Sequence, residues 1–158
     1  MMKVLFAASE AFPLIKTGGL GDVVHGLPVA LKQKGVDVRL VLPAYRSLMS
    51  NIKTNDMRVV GRFEVKGIDT IHRVRVVESY FDGEAIPLLL IDIPELFDRD
   101  GGPYLHPDGS DWFDNAERFT VFSRAVARLA LDVIDSGWAP DIVHCHDWQT
   151  ALIPAFLS

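Results

Sequence analysis

The chain opens on a continuous apolar run, Lys3 to Ser9, too short for a helix and uniform enough for a strand covered on both faces. A glycine-rich loop follows through Leu20. From Asp22 the apolar residues Val23, Val24, Leu27, Ala30 and Leu31 recur at helical spacing, and Gly35 supplies a stop. Pro28 inside this stretch removes a backbone donor and predicts a kink. Val36 to Leu42 reads as a second buried strand, ended by Pro43. Strand, loop, helix, strand is the pattern of a right-handed βαβ unit, and so of a parallel sheet.

The period then changes. Arg58 to Val65 and Ile71 to Tyr80 alternate apolar with polar residues, as half-exposed strands do. Asp82-Gly83 carries a hairpin signal leading into Ala85 to Ile91. This block predicts an antiparallel excursion whose last strand rejoins the main sheet. Pro94 to Trp112 is a long loop rich in Asp, Gly and Pro, of a length that often serves function. The longest helix is predicted over Asp114 to Asp135, with Ala116, Phe119, Phe122, Val126, Leu129, Ala130 and Val133 on one stripe and Gly137 as its end. Asp141 to Cys145 reads as another buried strand, His146-Asp147-Trp148 as the turn after it, and Gln149 to Leu157 as the opening of a new helix. That helix has little left to pack against, so the ending reads as a truncation. The expected fold class is α/β: a Rossmann-like parallel sheet flanked by helices, with an antiparallel hairpin excursion.

Composition narrows the classes. A length of 158 residues fits one domain, and an apolar share of 49% supports a packed core. The net charge of -5, with no basic stripe, argues against nucleic acid as a partner. Cys145 is the only cysteine, which excludes an internal disulfide, fits a reducing compartment and reads as a small buried hydrophobe. The apolar run after Lys3 is shorter than an export core and is closed by Glu10; no stretch is long enough to span a bilayer. A soluble cytoplasmic protein without a membrane partner is expected.

In an open parallel sheet, ligands bind at the carboxyl ends of the strands. Two loops leave strands there with polar cargo: Lys16-Thr17-Gly18-Gly19-Leu20-Gly21-Asp22 and His144-Cys145-His146-Asp147-Trp148. Glycines ahead of a helix admit a ligand to free N–H groups and to the positive end of the helix dipole, and Lys16 adds a charge for phosphate. By itself the motif reads at least as well as a tight turn with a solvated lysine. It is neither a dinucleotide fingerprint nor a P-loop, because the glycine spacing differs and Lys16 precedes the glycines. His144, His146 and Asp147 resemble a metal-ligand pair of a barrel hydrolase. For His144, a neutral buried ring satisfied by hydrogen bonds is the better reading. Asp114 and Glu117 have capping-box spacing, and Asp111 is a second candidate cap. Tyr104 and Trp112 suit either a sugar-stacking platform or the anchoring of the long loop.

The opening Lys3-Val4-Leu5-Phe6-Ala7-Ala8-Ser9-Glu10, with Phe12-Pro13 and Lys16-Thr17-Gly18-Gly19-Leu20-Gly21-Asp22-Val23, resembles the start of bacterial glycogen synthases and plant starch synthases. The resemblance continues through Leu27-Pro28, Leu42-Pro43, Phe97-Asp98-Arg99, Pro103-Tyr104, Asp114-Asn115 and Arg118-Phe119. It ends on Pro140-Asp141-Ile142-Val143-His144-Cys145-His146-Asp147-Trp148 and is weakest in the antiparallel middle. It implies that residues 1–158 are the N-terminal Rossmann-like domain of a GT-B glycosyltransferase, whose second, nucleotide-binding domain lies outside this chain. Such enzymes transfer glucose from ADP-glucose to the non-reducing end of an α-1,4-glucan with retention, without a cofactor or metal ion.

The resemblance also implies roles. Lys16, Gly18 and Gly19 would contact the donor phosphates and nearby sugar. Asp114 and Asn115 would line the glucose, His146 would sit against it, and Tyr104 would lie near the donor. Asp114 and His146 are the candidate catalytic residues and the others bind substrate. The isolated chain is expected to be catalytically incomplete. Two rivals stand beside this reading: a non-catalytic glucan-binding or regulatory module of the same fold, and a metal-dependent hydrolase using His144 and His146.

Overall fold

A computed structural model describes every residue of the chain except Asp82 and Glu84, so the hairpin signal at Asp82-Gly83 lies partly outside the described residues. In chain order the elements are β1 (Lys3–Ala7), α1 (Gly19–Gln33), β2 (Asp37–Pro43), α2 (Arg46–Ser50), β3 (Arg58–Lys66), β4 (Ile71–Phe81), β5 (Ile86–Asp92), α3 (Pro94–Phe97), α4 (Asn115–Ala130), β6 (Ile142–Cys145) and α5 (Ile153–Leu157). Short 3-10 turns occupy Thr54–Asp56 and Trp148–Thr150.

All six strands form one sheet in the order β3-β4-β5-β2-β1-β6. β1 lies between β2 and β6 and runs parallel to both, with Leu5 opposite Arg39 and Val143. β5 pairs parallel with β2 and antiparallel with β4, so the antiparallel block continues the same sheet and rejoins it as its pattern requires. The continuous apolar runs occupy the centre: Leu5, Phe6, Leu40, Leu42, Leu88 and Leu90 are wholly buried. Burial on both faces demands that uniform pattern, whereas β3, at the edge, keeps its alternation.

The structure corrects several boundaries. Helix α1 begins at Gly19 rather than Asp22, with Gly18 extended at the cap position and Pro28 accommodated within the helix. Helix α4 stops at Ala130 instead of Asp135 because the chain turns left-handed at Asp132 (φ 56°). The Asp132 carboxylate fixes that turn by accepting from Ser136 N, Ser136 Oγ and Gly137 N. Strand β6 is an edge strand rather than a buried one: Ile142 and His144 are exposed and Cys145 is only half-buried. The last segment does find a partner, since α5 packs on α4, Ile153 is fully buried and the Arg124 guanidinium lies 4.5 Å from the Phe156 ring centre. The long loop contains α3, whose Leu96 and Phe97 are buried.

Glu117 does not close a capping box. It accepts from Ile68 N at 2.7 Å and pairs with His72 Nε2 at 2.8 Å, while His72 Nδ1 meets Glu95 at 2.9 Å. One imidazole thus ties β4 to both α3 and α4. Burial favours its neutral form, but the two carboxylates more than offset this, and the His72 pKa is raised. Its stabilising contribution is therefore complete below the unfolded histidine value of about 6.5 and is lost as pH rises through the higher folded value. The stability lost in His72→Gln, measured by urea unfolding, should be larger near about pH 6 than near about pH 9. Equal losses at both would mean that the ring is neutral in the fold.

Candidate functional site

The loops after β1 and β6 leave the same edge of the sheet side by side, and His146 N donates to Ala7 O at 3.1 Å. Between them lies a cavity of about 830 Å³ whose walls include Gly18, Gly19, Tyr104, Asp147 and Trp148. Gly101, in the left-handed region (φ 103°), shapes the rim; a β-carbon there would meet Leu105 O at 2.7 Å. By contrast, a β-carbon on Gly18 or Gly19 would meet nothing within 4 Å. Crowding does not explain those two glycines; they leave the backbone bare toward the cavity.

Glu10 organises this end of the molecule. It is 1% exposed. Its Oε1 accepts from Gly18 N (3.2 Å) and Gly21 N (3.0 Å), and its Oε2 from Thr17 Oγ1 (2.6 Å) and Tyr104 Oη (3.1 Å). Tyr104 Oη also pairs with Ser9 Oγ at 2.6 Å. The first turn of α1 thus already holds one carboxylate of the chain itself. By helix geometry Gly19 N–H and Leu20 N–H have no partner within the helix, and they are the donors left to a ligand.

The remaining sequence candidates stand behind the cavity lining. Lys16 Nζ is paired with both oxygens of Asp22, at 2.8 and 2.7 Å. Both side chains are exposed, so exchanging this pair for a phosphate costs about 1 kcal/mol or less. Asp114 occupies the cap position of α4 but makes no capping hydrogen bond. Its carboxylate instead receives a bidentate grip from Arg99 at 2.7 and 2.6 Å. Burial pushes the Asp114 pKa up, but the Arg99 hydrogen bonds and charge outweigh it and hold the pKa low. Asn115 Nδ2 donates to Tyr104 O and its Oδ1 accepts from Arg118. Asp114 and Asn115 therefore fasten the loop that carries Tyr104. Of the two candidate stacking rings, Tyr104 lines the cavity beside Trp148, while Trp112 anchors the loop through its Nε1–H to Gly102 O and stacks under Arg99.

The His146 ring packs against both Phe6 and His144, with centroids 5.2 and 4.3 Å away, and its Nε2 is buried without a hydrogen-bond partner. Burial first, and the neighbouring His144 second, lower its pKa to about 4. The ring is neutral at ordinary pH. His144 itself is exposed, contrary to the buried reading, because β6 ends the sheet, with β1 as its one neighbour among the described residues. The two imidazoles pack face to face, and among the described residues no three His, Cys, Asp or Glu side chains gather as metal ligands. A folded value below the unfolded one means that stability falls as pH drops from about 6.5 toward 4. Chemical denaturation should show a shallower acid slope in His146→Phe than in the parent; parallel slopes would sink the assignment.

Sequence reading missed Glu10, Arg99 and Arg118 as organisers. Arg118 is 1% exposed and donates to Leu96 O and Pro103 O at 2.7 Å and to Asn115 Oδ1 at 2.8 Å. The available signals were a carboxylate directly after a buried strand and an arginine beside the apolar stripe of a long helix.

A family profile described as the starch synthase catalytic domain matches residues 3–158. The chain belongs to this family. It is 48% identical over 159 aligned positions to a glycogen synthase of Cellvibrio japonicus, covering 100% of this chain and 32% of that protein. A glycogen synthase of Thioalkalivibrio sulfidiphilus is also 48% identical, over 99% of this chain and 32% of its own length. The solved catalytic domain of starch synthase IV from Arabidopsis thaliana, bound to ADP and acarbose, superposes with a TM-score of 0.74 at 33% identity, covering 99% of this chain and 31% of that one. The chain thus spans about a third of the length of these family members. Its sheet is the mixed α/β sheet of the N-terminal half of a GT-B glycosyltransferase. Among the described residues no helix is long and apolar enough to cross a membrane.

Proposed function

We propose that this chain forms the N-terminal wall of a cytoplasmic glycogen synthase that transfers glucose from ADP-glucose to the non-reducing end of an α-1,4-glucan with retention. The observation that carries the reading is the two-sided cavity at the carboxyl ends of β1 and β6 in a chain of this family. One wall, at Gly19 and Leu20, offers backbone N–H groups and a helix N-terminus; the other, at Asp147 and Trp148, offers a carboxylate and an indole face. A starch synthase of the same fold binds ADP and acarbose, a nucleotide and an oligosaccharide analogue, which is the pair of chemistries that such walls suit.

A retaining transfer develops positive charge on the glucose ring and negative charge on the departing diphosphate. Gly19 N–H, Leu20 N–H and Lys16, once released from Asp22, stabilise the diphosphate. His146, kept neutral by burial, positions the glucose by hydrogen bonding and carries no charge. Asp114 and Asn115 hold Tyr104 in the wall, and direct contact between Asp114 and glucose requires Arg99 to release it. The site is completed and dried by the rest of the polypeptide, so the isolated chain should bind ADP weakly and elongate no glucan.

The test uses the full-length polypeptide and ADP-glucose. Lys16→Ala should lower kcat/KM about 30- to 100-fold, the equivalent of one charge-assisted hydrogen bond in the transition state. His146→Ala should also lower it. Near-normal turnover in both variants would remove the assigned roles, and elongation by residues 1–158 alone would overturn the division of labour.

A further inference from the structure

Gln149 belongs to neither motif role assigned above, yet its side chain is the most unusual polar group in the cavity wall. The residue is 4% exposed, it lines the cavity, and its Oε1 is buried with no hydrogen-bond partner. An unpaired buried amide oxygen costs about 1–3 kcal/mol unless something supplies the missing bond.

Its backbone is held firmly. Asp147 Oδ1 accepts from Trp148 N at 2.8 Å, Thr150 Oγ1 donates to His146 O at 2.8 Å, and Ser123 Oγ on α4 donates to Gln149 O at 3.1 Å. The side chain is therefore presented from a 3-10 turn whose backbone is held in place.

The chemistry selects the ligand. A carboxamide both donates and accepts, which matches hydroxyl groups that do the same. It matches phosphate poorly, because phosphate oxygens only accept and would face the carbonyl oxygen and the nearby Asp147 carboxylate. Trp148, 55% exposed, supplies an apolar face for the C–H groups of a sugar ring. The N–H donors of Gly19 and Leu20 stand on the other wall.

We infer that Gln149 is a specificity-determining residue that hydrogen-bonds a pair of hydroxyls on a pyranose seated against Asp147 and Trp148, assigning the sugar to this wall and the phosphates to the α1 wall. The inference rests on the proposed function and refines it. The pyranose is either the glucose being transferred or the terminal unit of the acceptor, and kinetics separate the two.

In the full-length enzyme, Gln149→Leu should raise KM about 3- to 10-fold for one sugar substrate with kcat little changed. If the bound sugar is the donor's, KM for ADP-glucose moves; if the acceptor's, KM for glucan moves. Inhibition by ADP, which carries no glucose, should be unaltered. A folded variant with both KM values at the parent level overturns the inference, and so does an equal weakening of ADP inhibition, which would mark a merely structural role. A crystal structure of the unsubstituted full-length enzyme with ADP and a maltooligosaccharide is the second measurement and stands even if the variant fails to fold. A sugar hydroxyl within about 3.2 Å of the carboxamide supports the inference, and separation beyond about 4 Å overturns it. A parent enzyme that transfers no glucose sinks the proposed function; a working parent with an indifferent Gln149→Leu variant sinks this inference alone.

Discussion

Glu10→Ala should cost about 3–5 kcal/mol of folding free energy and disable ligand binding at the α1 wall. The carboxylate is buried, and two backbone N–H groups, one threonine hydroxyl and the Tyr104 hydroxyl all point at it. Removing it leaves those donors without their acceptor, Gly21 N–H in a buried position. Hydrogen bonds to a charged group are worth about 1.5–3 kcal/mol each, and those sharing one acceptor group add less than linearly. Glu10→Gln keeps the shape and one accepting oxygen, so it should recover about half of the loss. Urea unfolding of both variants supplies the check. An alanine variant within about 1 kcal/mol of the parent would show that the carboxylate is not what joins the α1 turn to the Tyr104 loop.

Arg118→Met should come next, at about 3 kcal/mol or more, with its damage in a different place. The guanidinium bridges Leu96 O, Pro103 O and Asn115 Oδ1, three acceptors on the loop and at the start of α4. Burial lowers its pKa, yet an arginine remains charged in this range, so loss of the side chain strands a set of acceptors chosen for a cation. Methionine restores apolar volume but supplies no donors. Arg118→Lys should forfeit more than half of the same energy, because a single ammonium cannot reproduce the planar fork. Hydrogen exchange locates the effect: amides of residues 96–104 should lose protection while the first turn of α1 keeps its own. Uniform loss across the chain would contradict a local brace.

These two side chains also show where sequence reading stops. The strands at the sheet centre were legible because burial on both faces demands an uninterrupted apolar run, and Leu40, Val41 and Leu42 display it. The parallel order followed from the strand–helix–strand pattern, and the two loops were found because they leave carboxyl ends of strands with polar residues; β1 and β6 prove to be neighbours. Glu10 and Tyr104 are 94 positions apart, and no period links them. The reading of the Asp114 side chain as a capping acceptor failed for the same reason. A local rule offered a cap, while Arg99, 15 residues away, offered a bidentate charge, and the second interaction won. The early end of α4 depended on Asp132 adopting a left-handed conformation, a choice settled by hydrogen bonds to Ser136 and Gly137 that hydrophobic spacing does not encode.

Helix α4 also closes off one border of the sheet. Arg124 and Arg128, in its C-terminal half, donate to the carbonyl oxygens of Lys66 and Glu64, alternate residues on the outermost strand β3. A foreign strand approaching that border finds these acceptors already engaged and long cationic side chains in its path. The opposite border, along β6, carries no such guard among the described residues. Lateral growth of the sheet, whether by further polypeptide or by a misfolded neighbour, is thus steered to the border next to the cavity.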